Sequence, residues 1–262
     1  MVWGKDVRLA RITDGGKMVC VPMDHGLSSG PIRGLEDMEL AVKRVEEGGG
    51  TAVVVHKGII KQLQKPPKLG LIIHLSGSTS LGTTPDWKVR VGSVEEALFL
   101  GADAVSVHVN IGGDYEAEML SKLGEVADEC DRWGMPLLAM MYPRGKNIKN
   151  PNDPEIVAQV TRIGAELGAD IVKTTYTGDP DSFKQVVKSC PAKVVIAGGP
   201  KAETDREVLE MVAGAMEAGA IGVTFGRNVF QHSNPVAMLR AISMIIRDGA
   251  SVESALGELE HA

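Results

Sequence analysis

Lys173 lies inside an apolar run, Ala169-Asp170-Ile171-Val172-Lys173-Thr174-Thr175-Tyr176, of the kind that forms a buried strand. Lysine is almost never fully buried without a partner or a chemical purpose. Burial disfavours an ammonium, and a neutral amine attacks carbonyls to form a Schiff base. The alternative is a lysine at a strand end whose stem extends to water or meets a carboxylate. Asp24 follows another apolar run directly, where it suits a proton acceptor or an Asx turn cap. Tyr142 closes a third, as a proton donor or as a core aromatic with a satisfied hydroxyl. Gly198-Gly199-Pro200-Lys201 and Gly226-Arg227-Asn228 bring backbone N–H groups and a guanidinium together. Each alone reads as a turn, but jointly they suit a phosphate, with Arg227 adding a charge-assisted contact. A sugar phosphate held there would turn its carbonyl toward Lys173, and the iminium would serve as electron sink for C–C cleavage or formation.

The elements that position these groups follow from hydrophobic texture. Short β-branched runs alternate with amphipathic stretches. Strands are expected at Met18–Met23, Ala52–His56, Leu69–Leu75, Ala104–Val109, Pro136–Met141, Asp170–Tyr176, Val194–Ala197 and Gly222–Phe225. Helices are expected at Leu35–Glu47, Ser93–Leu100, Asp114–Trp133, Asp153–Leu167, Phe183–Cys190, Thr204–Ala218 and Pro235–Arg247. A weak repeat of helix, glycine stop and buried strand recurs before every second strand, as in Leu100-Gly101-Ala102-Asp103 and Leu167-Gly168-Ala169-Asp170. This pattern predicts a (β/α)8 TIM barrel over residues 1–262, a single domain, with residues 1–12 as a short helix plugging its bottom. An open doubly wound sheet fits less well, because the first strand is followed by Asp24-His25-Gly26-Leu27-Ser28-Ser29 and not a G-x-G-x-x-G turn. In such barrels catalytic groups come from the C-terminal strand ends, and that is where this chain concentrates its polar residues. Strand four carries His108 and Asn110, and strand six carries Tyr176 besides Lys173.

Composition excludes several classes. The chain has 262 residues and a formal net charge of −6, with no basic stripe, which argues against nucleic acid. No apolar run approaches the roughly 20 residues of a membrane span, and no signal-peptide pattern opens the chain, so a cytoplasmic protein is expected. The three cysteines form no C-x-x-C pair, and Cys20 and Cys130 read as buried free thiols. His56, His74 and His108 fall at strand ends. They lack H-x-H or H-x-x-x-H spacing with a further ligand, so no metal site is expected there. Asp103 and Asp170, at strand starts, are expected to cap or pair locally.

Asp24-His25-Gly26, Tyr142-Pro143-Arg144-Gly145, Asp170-Ile171-Val172-Lys173-Thr174, Ala197-Gly198-Gly199-Pro200-Lys201 and Gly226-Arg227-Asn228-Val229-Phe230-Gln231 together resemble the archaeal-type class I aldolases of the DeoC/FbaB kind, over nearly the whole chain. Within that family, the stretches Met23–Pro31, Leu71–Gly77 and Met140–Gly145 most resemble the synthases that open an alternative route to 3-dehydroquinate and aromatic amino acids. The resemblance implies a transaldolase-type transfer. Lys173 would form the Schiff base with 1-deoxy-D-threo-hexo-2,5-diulose 6-phosphate, with Asp24 as proton acceptor and Tyr142 as proton donor. Hydroxypyruvaldehyde phosphate would leave, and the enamine would attack L-aspartate semialdehyde. Contacts to the donor would come from Asp24, His25, Gly26, Leu27, Ser28, Tyr142, Pro143, Arg144, Gly198, Gly199, Gly226 and Arg227. No cofactor and no metal are implied, and the substrates are a sugar phosphate and an amino-acid aldehyde. A ring-based homo-oligomer, a decamer, is also implied. Class I fructose-1,6-bisphosphate aldolases are similar, but that branch is expected to carry Trp two residues before the tyrosine, where this chain has Met140. Phe225 is bulkier than the family implies just before the Gly-Arg pair. A non-catalytic sugar-phosphate-binding barrel is the alternative from another class.

Overall fold

Strands buried on both faces read as continuous apolar runs, and the eight runs here form eight parallel strands. The computed structural model describes residues 3–260. The barrel strands are β1 (Met18–Pro22), β2 (Ala52–Val55), β3 (Gly70–His74), β4 (Ala104–Ile111), β5 (Leu137–Pro143), β6 (Ile171–Thr175), β7 (Lys193–Ala197) and β8 (Gly222–Thr224). Each pairs with its sequence neighbour, and β1 pairs with β8 to close the barrel. The expected fold class is therefore observed. Strands β4 and β5 run further toward the top than expected, carrying Asn110 and Tyr142 within regular strand.

Side chains alternate faces along a strand, and this divides the core in two. Met18, Cys20, Val54, Ile72, Leu138, Met140, Ile171 and Val195 pack together inside the barrel, whereas Val19, Val21, Val53, Val105, Val107, Ala139, Val172 and Ile196 pack outward against the helices. Lys173 is in register with Met140 on one side and Val195 on the other, and so it shares their inward face.

The helices lie close to their expected spans, among them Met38–Glu47, Glu116–Trp133, Pro154–Glu166, Asp205–Glu217 and Pro235–Asp248. Their starts are capped: Asp153 accepts from the backbone of Glu155 and Ile156, and Thr204 with Glu207 forms a capping box. At the turns closing two of the repeats, Gly101 and Gly168 take φ of 83° and 98°.

The N-terminal helix Trp3–Ile12 closes the bottom; of its expected residues, 1 and 2 lie outside the described span. Ile12 is fully buried in the inner cluster. Gly70 must be glycine here, because a Cβ would sit 2.6 Å from the Arg11 carbonyl oxygen. Lys5 bridges Asp131 and Asp170 at 2.6 and 3.0 Å, and Arg11 pairs with Asp103. Asp103 and Asp170 also accept from the Leu71 and Leu137 amides at 2.9 and 2.8 Å, the local capping expected of them.

Three features carry no clear sequence period: the one-turn helices Lys57–Ile60 and Arg227–Phe230, and a two-stranded antiparallel pair, Ser76–Gly77 with Val89–Arg90, rising between β3 and β4. The C-terminal helix Val252–Glu260, not among the expected helices, does have one, with Val252, Ala255, Leu256 and Leu259 on the face that meets the core. Among the described residues no helix is long and apolar enough to cross a membrane. Cys20, Cys130 and Cys190 are buried free thiols, and burial pushes Cys20 and Cys130 up to about 12.

Candidate active site

A cavity of about 640 Å³ opens at the C-terminal ends of the strands. Lys173 lines it at 6% exposure, with Met140 and Tyr142 of β5 beside it. The register Met140–Lys173 puts Tyr142 one inward-facing position above the lysine on the adjoining strand. Asp24, directly after β1, completes this wall.

Asp24 is flanked by imidazoles. Its carboxylate oxygens lie 3.8 Å from His74 Nε2 and 3.9 Å from His25 Nδ1. Burial acts to raise the Asp24 carboxyl, but the His74, His25, Lys173 and His56 groups together outweigh it and hold Asp24 below the usual carboxylate range. Burial pushes His74 down to about 3 despite Asp24, and also lowers His25, His56 and His108. At neutral pH His74 is therefore an uncharged ring, anchored by Nδ1 to Ser106 Oγ at 2.8 Å. The imidazoles therefore act as cations toward Asp24 only in acid, and at neutral pH they surround its carboxylate as polar, uncharged rings.

The glycine segments after β7 and β8 meet at the cavity's far side. Asn228, buried beneath them, donates to the Gly198 carbonyl at 2.9 Å and accepts from the Ala202 amide at 2.8 Å. Arg227 donates to the Gly199 carbonyl at 2.9 Å, and its buried Nε has no protein partner. Gly226 has no room for a side chain, since a Cβ would lie 2.8 Å from the His25 ring. Phe225 points outward and packs behind Gly198, so its bulk supports the cradle from outside.

Across Lys173 from the cradle, the Arg144 guanidinium lies 4.6 Å over the Tyr142 ring, and Lys88 enters from the segment between β3 and β4. Lys88 Nζ donates to Ser78 Oγ and to the Pro85 carbonyl, at 2.5 and 2.8 Å. Burial and the neighbouring Arg144 lower its affinity for a proton.

This arrangement can bind an anionic carbonyl compound, condense it with an amine and move protons at adjacent carbons. The DeoC/LacD family aldolase profile matches residues 18–232. The chain belongs to this aldolase family. It is 44% identical to the 2-amino-3,7-dideoxy-D-threo-hept-6-ulosonate synthase of Halobacterium salinarum and 45% identical to synthase 1 of that name from Archaeoglobus fulgidus. Both matches span 97% of this chain and 95% of the relative. A solved archaeal fructose-1,6-bisphosphate aldolase, with its catalytic lysine covalently bound to the substrate's carbinolamine intermediate, superposes with a TM-score of 0.87. That chain is 34% identical, with 92% of this chain and 99% of that one covered.

Of the residues expected in this aldolase site, Asp24, His25, Ser28, Tyr142, Pro143, Arg144, Lys173, Gly198, Gly199, Gly226 and Arg227 line the cavity. Gly26 and Leu27 do not. Leu27 lies over Gly77 of the short antiparallel pair, 42% exposed. His56 packs edge-on against His74 at 5.3 Å, and His108 turns to Asn110 Oδ1 at 2.9 Å and to the Tyr142 ring. Tyr176 leaves the site altogether, packing against Phe183 on the outer side of the barrel. Lys88, Thr175 and Thr224 line the cavity without having been picked out in the sequence. Thr175 and Thr224 are legible by parity, two positions from Lys173 and Gly226. Lys88 carries no such signal.

His74 sets a pH dependence. Unfolded, it titrates near 6.5; folded, near 3. Between these values the unfolded chain binds a proton that the fold refuses, so stability falls as pH falls through that window. His74→Gln is expected to flatten this acid slope in urea midpoints measured across pH 3–7. A slope equal to that of the unaltered protein would contradict the assignment.

Proposed function

We propose that this chain is a 2-amino-3,7-dideoxy-D-threo-hept-6-ulosonate synthase, transferring a three-carbon unit from 1-deoxy-D-threo-hexo-2,5-diulose 6-phosphate to L-aspartate semialdehyde. The observation that carries this is a buried lysine on an inner barrel strand, with a tyrosine and a shielded carboxylate beside it, in a chain so similar to these synthases. In the proposed mechanism Lys173 attacks C2 of the donor, and Tyr142 supplies the proton that lets the carbinolamine oxygen leave as water. The C3–C4 electrons then flow into the iminium as Asp24 accepts the C4 hydroxyl proton. Hydroxypyruvaldehyde phosphate departs, leaving the enamine of hydroxyacetone on Lys173. Its nucleophilic carbon attacks the aldehyde of L-aspartate semialdehyde, and the proton held by Asp24 passes to the new alkoxide. Water finally hydrolyses the iminium, restoring Lys173 and the Tyr142 proton. His25, Ser28, Pro143, Arg144 and the Gly198-Gly199 and Gly226-Arg227 cradle are proposed to hold the donor, while Gly26 and Leu27, which stand away from the cavity, are left out of that set. We further propose that residues 1–262 act as one aldolase-type domain in a cytoplasmic homo-oligomer, a decamer.

One observation favours a second reading, class I fructose-1,6-bisphosphate cleavage. The cavity has cationic groups at both ends, Arg227 on one side and Lys88 with Arg144 on the other, as a bisphosphate would need. Met140, at the position where that branch is expected to carry tryptophan, weighs against it.

The decisive comparison is between substrates. With the diulose phosphate and L-aspartate semialdehyde, mass spectrometry is expected to show the seven-carbon amino keto acid, and fructose 1,6-bisphosphate is expected to turn over far more slowly. Metabolic-scale release of triose phosphates from the bisphosphate, without the seven-carbon product, would sink the synthase reading. Tyr142→Phe is expected to lower turnover by roughly 10²–10⁴-fold while still forming the lysine imine on prolonged incubation. Undiminished turnover would remove Tyr142 from the mechanism.

A further inference from the structure

We infer that Lys88 and Arg144 form an anion subsite for the aldehyde partner, holding the phosphate of the departing aldehyde and then the carboxylate of the incoming one. This rests on the synthase reading for the identity of the anions, but the subsite itself rests on geometry.

Neither cation is neutralised. Among the described residues, Lys88 Nζ meets only the Ser78 hydroxyl and the Pro85 carbonyl, and Arg144 faces the Tyr142 ring. Among the described residues no ion pair involves either. Asp86 and Asp24 are the acidic groups felt by Lys88, and Arg144 is the cation it opposes. Two cations drawn together at a cavity wall without a carboxylate between them repel each other, and an anion placed between them reverses the sign of that interaction.

The subsite is also built. Lys122, buried in the helix Glu116–Trp133, directs its amino group to the Lys88 and His108 carbonyls at 2.5 and 2.7 Å. Burial and the nearby Lys88 push Lys122 down to about 7, and its N–H groups, charged or neutral, donate to both carbonyls and tie the Lys88 backbone to β4. Asn110 Nδ2 donates to the Asp86 carbonyl at 2.8 Å, holding the same segment two residues earlier. On the other side, the Arg144 amide donates to the Ile111 carbonyl at 2.9 Å, and Gly145 packs so close to Gly112 that a Cβ would lie 2.0 Å from the Gly112 carbonyl oxygen.

Bond order in the transfer explains why one subsite serves two anions. The departing and incoming aldehyde carbons both bond to the same enamine carbon on Lys173. Their chains therefore occupy the same side of the cavity in turn. The phosphate of one and the carboxylate of the other each end a short chain beyond that carbon. The cradle on β7 and β8 faces the ketone retained on Lys173, which bears no phosphate, so in this reading the donor's one phosphate lies on Lys88 and Arg144 and not in the cradle where the sequence placed it.

The test uses the full chain, with inorganic phosphate as the probe in calorimetric titrations. Two phosphates per chain are expected. Lys88→Met should abolish one and leave the other, and Arg227→Met should remove the second. Borohydride trapping of hydroxyacetone, the neutral retained ketone, should be unchanged in Lys88→Met and shows that the variant folds. Should it not, Lys88→Gln replaces it under the same criterion. In turnover, Lys88→Met should raise KM for L-aspartate semialdehyde by about ten-fold or more, with Lys88→Arg recovering most of the loss. Phosphate binding undiminished in a folded Lys88 variant would overturn the subsite. A KM within about two-fold of the unaltered protein would overturn its use by the acceptor. Because the phosphate titration reads the subsite whichever aldehyde is used, loss of the synthase reading alone would leave that result standing.

Discussion

An amine on the inner face of a closed barrel cannot reach bulk water by extending its stem sideways, because strands surround it. Lys173 is held in that position by register with Met140 and Val195, and it opens to the cavity above. The rest of the site is arranged around this confinement. Asp24 sits in a poorly solvated pocket among imidazoles and beside Lys173, held below the usual carboxylate range, and Tyr142 stands one inward position above the lysine's neighbour. Neutral, buried His74, fixed to Ser106, gives the carboxylate a polar neighbour without a permanent opposite charge. Such a wall can take and return a proton without forming a fixed ion pair.

The scaffold accounts for the accuracy of this placement. Parallel strands covered on both faces admit little slippage, because a one-residue shift would turn the apolar inner set outward. The bottom is closed by Ile12 and by Lys5 and Arg11 on Asp170 and Asp103, which cap strand starts. Stabilising groups thus gather at one end of the barrel and reactive groups at the other, the division expected of this fold.

Much of this is legible in the residues. The eight strands are, because burial on both faces makes each an apolar run. Lys173, Asp24 and Tyr142 are, because each breaks or ends such a run. Tyr176 shows where that kind of reading goes astray: it shares a strand with Lys173, yet an offset of three reverses its face and carries it to Phe183. Counting parity from Lys173 excludes it and picks out Thr175. Lys88 is of another kind. It lies in a polar segment with no period, and hydrogen bonds from Asn110 and Lys122, distant in sequence, bring it to the cavity. The short pair Ser76–Gly77 and Val89–Arg90 is similarly set by tertiary contacts, being too brief for a strand period.

The central claim is that Lys173 is the nucleophile. Borohydride reduction in the presence of the diulose phosphate, followed by peptide mass spectrometry, tests it most directly. A single stable adduct is predicted on the Lys173 peptide, absent from Lys173→Met. An unmodified Lys173 peptide, or an adduct that persists in Lys173→Met, would contradict the account.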